Sequence, residues 1–131
     1  DFDQDGDLDL ALAANDPAGS HFLYRNDLDA SIASRSIQVL VLDENGHYTR
    51  AGSEVRVFRA GTDQLVGLRL VDTGSGYNAQ NAKPVHIGLP DTMDLDVHVT
   101  VLSSGERKTR LYPDVDWRQL DGKPFIVNVS L

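Results

Sequence analysis

Five aspartates occupy alternate positions from Asp1 to Asp9, in the order DFDQDGDLD, with Gly6 between the third and fourth. Like charges at this density repel one another unless a cation neutralises them, and carboxylate oxygens are hard ligands that suit Ca²⁺. The D-x-D-x-D-G spacing sets carboxylates at the first, third and fifth positions of a loop. Gly6 permits the sharp turn between them, Asp7 can offer its backbone carbonyl, and Asp9 closes the loop. The stretch therefore predicts a calcium loop, with Asp1, Asp3, Asp5 and Asp9 binding through side chains and Asp7 through its main chain.

An EF-hand begins in the same way but needs a bidentate Glu at its twelfth position and helices on both sides. The twelfth residue here is Leu12, and Leu8, Leu10 and Leu12 alternate with Asp9, Ala11 and Ala13. That period of two predicts a strand leaving the loop. The formal charge of −8 is concentrated here, because residues 1–30 hold eight aspartates against Arg25 alone. An acidic end favours cations, and the chain lacks the basic footprint that nucleic acid requires. With no cysteine, a disulfide framework, a thiol nucleophile and a soft-metal thiolate site are excluded. The sequence holds no apolar run of about 20 residues that would predict a membrane span. It opens on Asp inside a motif, which predicts a piece of a larger protein.

Beyond a polar link from Asn26 to Ser36, strand patterns follow one another. Ile37–Leu42 is an apolar run of strand length; the Asn45-Gly46 pair predicts a hairpin with a return strand over His47–Arg50. Glu54–Arg59 alternates charged and apolar side chains, and Gln64–Asp72 predicts the next strand. After a loop from Thr73 to Pro84 come Val85–Leu89 and Leu95–Leu102, whose Val97, Val99 and Val101 share one face. Glu106–Leu111 follows, then a loop holding Tyr112, Pro113 and Trp117. Last comes Phe125–Leu131, with Phe125, Val127, Val129 and Leu131 facing inward. Short strands at this spacing, with no sustained helical stripe, predict an all-β chain. It would be a β-sandwich or small barrel of about seven or eight strands, preceded by a β-hairpin.

The D-x-D-x-D-G-x-x-D-L loop running into a strand resembles the FG-GAP (VCBS-type) repeat of propeller proteins, and His21–Asn26 is similar to the L-Y-x-N strand that closes such a repeat. A second resemblance lies in Ala51–Val57, Gly74–Asn81, Val85–Leu89 and Val97–Gly105, taken in that order. These resemble the G-A-x-V-x-V, G-x-G-Y-x-S-Q-N, V-H-F-G-L-G and V-x-V-x-W-P-S-G motifs of the ASPIC/UnbV domain. Ala79, Pro90 and Leu102-Ser103 depart from that pattern. The resemblances imply a partial calcium-binding repeat over 1–30 and an ASPIC/UnbV-like sandwich over 31–131. They also imply further repeats upstream and an extracellular, cell-surface or periplasmic setting, with a protein or carbohydrate ligand. The function implied is a non-catalytic, calcium-stabilised binding or adhesion module.

Two other readings are open at this stage. Tyr77, Asn78, Gln80, Asn81 and Trp117 could form a polar-aromatic surface for a sugar, although the two glycines of Gly74-Ser-Gly76 read first as a tight turn with Tyr77 tucked against the sheet. An accessory domain of an enzyme would require His86 and His98 to meet near Asp94 or Asp96. The loop pair Asp114 and Asp116 could imitate a glycosidase dyad, but reads first as solvated turn residues.

Overall fold

A computed structural model describes residues 1–14, 19–74, 76–77, 79–81 and 83–130. The chain is all-β. In order its elements are β1 (Leu10–Leu12), β2 (Phe22–Tyr24), a short helix α1 (Ala30–Ala33), β3 (Ser36–Asp43), β4 (Glu54–Arg59) and β5 (Leu65–Leu70). Then come β6 (Val85–Gly88), β7 (Leu95–Ser103), β8 (Glu106–Val115), a 3₁₀ turn at Trp117–Leu120, and β9 (Phe125–Val129). β1 and β2 pair antiparallel as a separate ribbon, with Leu10 opposite Tyr24 and Leu12 opposite Phe22. The other seven strands form two sheets, ordered β6-β3-β9 and β5-β4-β7-β8.

The two sheets bury one core between them, so the architecture is a sandwich and not a barrel. Alternation supplies that core: Ile37, Val39 and Val41 from β3 meet Val55 and Val57 from β4. Val85 and Ile87 from β6, Val97, Val99 and Val101 from β7, and Val127 and Val129 from β9 complete it. Fully burying a side chain of this size contributes roughly 1.5–3 kcal/mol, so the row of buried valines and isoleucines fixes strand register across both sheets. β9 lies parallel to β3, with Val41 opposite Val127. Phe125 is half-buried, edge-on to Tyr112 with ring centroids 5.5 Å apart, and Leu131 lies outside the described residues.

Several local expectations are corrected. The turn after β3 forms, with the Gly46 N–H donating to the Asp43 carbonyl at 3.0 Å, but His47–Arg50 is not a strand. The Asp43 carboxylate instead accepts from the N–H groups of Asn45 and His47 and from the Thr49 hydroxyl. The polar link contains α1, capped by the Asp29 side chain accepting from the Ser31 N–H at 2.9 Å. β8 runs through Tyr112 and Pro113 because the chain bulges there: Leu95 and Val97 oppose Val115 and Tyr112. Asp114 takes a positive φ of 53° in that bulge, and an edge strand tolerates proline at such a point.

Candidate metal centre

Asp1, Asp3 and Asp9 each present a carboxylate oxygen within 4.8 Å of the others. With Ca–O distances of about 2.3–2.6 Å, oxygens on opposite sides of one ion lie about 4.6–5.2 Å apart. The observed span therefore suits a single cation, and a donor set of carboxylate oxygens alone suits a hard one.

The loop is held in this form from inside. The Asp9 carboxylate accepts from the Phe2 and Asn26 N–H groups, each at 2.9 Å. These bonds, that from Asn26 first, hold its pKa below the ordinary carboxylate range, so it stays ionised as a ligand must. Asp1 accepts from the Gly6 N–H at 3.4 Å and from the Gln38 amide at 2.8 Å. Asp5 is not among the three gathered carboxylates; its Oδ1 accepts from the Asp7 N–H at 3.1 Å. Asp7 is buried and turned away, with Oδ2 accepting from the Leu28 N–H at 3.1 Å. Its Oδ1 is buried with no hydrogen-bond partner among the described residues, a placement that carries a desolvation cost. Arg25 lies 4.0 Å from Asp3 and 2.5 Å from Asp27, so it offsets only part of the acidic charge.

The sandwich supplies the floor of the loop. The Gly6 carbonyl accepts from the Ser36 hydroxyl at 3.0 Å and lies 2.9 Å from His86 Nε2. A carbonyl can only accept, so Nε2 carries the proton in this contact. Sequence reading missed Ser36 and Gln38 and weighed His86 only for other chemistry. The available signal was the polar alternation of Ser36 and Gln38 at the start of a strand whose middle is apolar.

The remaining candidates are dispersed. His86 lies on β6 and His98 on β7, in different sheets; His98 packs against Phe58 with tilted rings, 4.6 Å between centroids. Asp96 accepts from the Gly61 and Asp114 N–H groups, and Asp94 pairs with Arg118. A site uniting the two histidines with these carboxylates is therefore not formed. Asp116 caps the 3₁₀ turn and pairs with Arg118 at 2.5 Å, a contact that lowers its pKa. Trp117 is buried, its indole N–H donating to the Met93 carbonyl at 2.9 Å, so it cannot serve as a sugar platform. Tyr77, expected against the sheet, is 93% exposed, and Asn78 lies outside the described residues. Among the described residues no helix is long and apolar enough to cross a membrane. No protein-family model matches the chain, and neither a curated protein nor a solved structure shows significant similarity to it.

Proposed function

We propose that this chain is a calcium-stabilised extracellular binding or adhesion module, in which the end of an FG-GAP-like repeat leads into an ASPIC/UnbV-like sandwich. The observation that carries the reading is the convergence of Asp1, Asp3 and Asp9 on one point. Asp5 and the main-chain oxygen of Asp7 are the further ligands that the loop spacing provides. The role of Ca²⁺ is structural, since it neutralises the acidic loop and stabilises its turn. Residues of the β1–β2 ribbon support a repeat origin: Leu10, Leu12, Phe22 and Tyr24 are all about half exposed. A two-stranded ribbon is marginal alone, and repeat units bury such faces against their neighbours. The partners are therefore upstream repeats of the same parent chain, together with a protein or carbohydrate ligand.

Thermal melting tests the calcium role. A ligand that binds only the folded state at 100 times its Kd stabilises it by about 2.7 kcal/mol, so saturating Ca²⁺ raises Tm by several degrees over chelator. The Asp3→Ala/Asp5→Ala variant shows no such rise. Equal Tm for the wild type in Ca²⁺ and in chelator would count against the reading.

A further inference from the structure

We infer that Ser36, Gln38 and His86 are positioning residues for the acidic loop, so that its cation affinity is set by the sandwich as well as by the carboxylates. The inference rests on the calcium reading and assigns roles to three residues that touch no cation themselves.

Strand register brings the three together. Ile37 and Val39 on β3, and Val85 and Ile87 on β6, point into the core. Alternation then turns Ser36, Gln38 and His86 to the outer face, and Gln38 stands directly opposite His86 in the antiparallel pair. A compact set of donors faces the loop as a result. Two of them meet the Gly6 carbonyl and the third meets the Asp1 carboxylate.

The consequence follows from peptide planarity. The Gly6 C=O and the Asp7 N–H belong to one trans peptide, so they point in opposite directions. When Ser36 and His86 fix the carbonyl, they also aim the Asp7 N–H at the Asp5 carboxylate, which it meets at 3.1 Å. Gln38 acts on the other side of the turn by holding Asp1, one of the three gathered carboxylates. Gly6 is seated so closely that an added Cβ would lie 2.5 Å from the Ala33 carbonyl oxygen, and the loop therefore has little room to shift. Groups that orient metal ligands from behind typically govern affinity by 10–100-fold.

The test is calorimetric titration of CaCl₂ into the full chain, stripped with chelator, beside melting curves in chelator. The Ser36→Ala/Gln38→Ala/His86→Ala variant is expected to bind Ca²⁺ about 10–100-fold more weakly than wild type, with its chelator Tm close to wild type. His86→Ala shows part of that loss, and His86→Gln recovers it, because the Gln amide can still donate to the Gly6 carbonyl. Wild-type affinity in the triple variant overturns the assignment and leaves the calcium reading intact. A loss that follows falling chelator Tm and is not recovered by His86→Gln also overturns it. A wild type that takes up no Ca²⁺ removes the calcium reading and this assignment together.

Discussion

At Gly6 the backbone takes a φ of 102°, a conformation that residues with a Cβ rarely adopt. The loop motif alone indicates glycine at this point. Gly67 is a different case. Its φ is unremarkable, but an added Cβ would lie 2.5 Å from Ile87 Cγ2, in a core where Ile87 is fully buried. Gly67→Ala therefore overpacks the place where β5 meets β6. It should cost about 1–3 kcal/mol, read as a lower denaturant midpoint with an unchanged m-value. Removing that methyl as well, in Gly67→Ala/Ile87→Leu, which has no Cγ2 branch at Cβ, should recover part of the loss. No sequence pattern marks Gly67, because the requirement comes from a strand distant in the chain. The burial of Trp117 is hidden from sequence for a related reason. An indole among aspartates and a proline looks like surface until the Met93 carbonyl is found beside its N–H.

The end of β3 shows how one side chain can replace an element. Asp43 gathers the Asn45 and His47 N–H groups and the Thr49 hydroxyl, leaving those groups engaged without a return strand. These bonds, the one from the His47 N–H foremost, hold the Asp43 pKa below its ordinary value. A carboxylate with a lowered folded-state pKa contributes stability above its unfolded pKa, and that contribution is lost as pH falls through the folded value. Asp43→Ala should therefore lower Tm by a few degrees at neutral pH. The two melting profiles should converge as pH drops below about 4. A constant gap between them across that range would contradict the role. The Asn45-Gly46 turn and the existence of β3 were legible from the sequence, whereas the missing return strand was not. Local hydrogen bonding by an aspartate competes with strand pairing in a way that hairpin patterns do not record. β8 was read too short for a similar reason, because its bulge lets Pro113 and Asp114 remain within the strand.

On the scale of the molecule, β3 joins the two parts of the account. One of its faces fills the core, its edges pair antiparallel with β6 and parallel with β9, and its outer face supports the acidic loop through Ser36 and Gln38. The all-β class and the alternating core faces were legible because period-two patterning is a local signal. The division into a three-stranded and a four-stranded sheet, and the parallel β3–β9 pair, were not, since they depend on which distant strands meet. The same holds for the candidate site. The aspartate spacing named its residues, but the sequence did not tell that Asp1, Asp3 and Asp9 gather while Asp7 turns inward to Leu28. The charge distribution acts at this scale too, placing a concentrated negative field at one end of the chain, where a cation has most to neutralise.

Calorimetric titration of the chelator-stripped protein with Ca²⁺, beside the Asp3→Ala/Asp5→Ala variant, tests the central claim most directly. The account predicts one saturable site with Kd on the order of 10⁻⁴–10⁻³ M, the range of extracellular calcium modules, and loss of that site in the variant. No saturable heat from the wild type, or the same isotherm from both proteins, would contradict it.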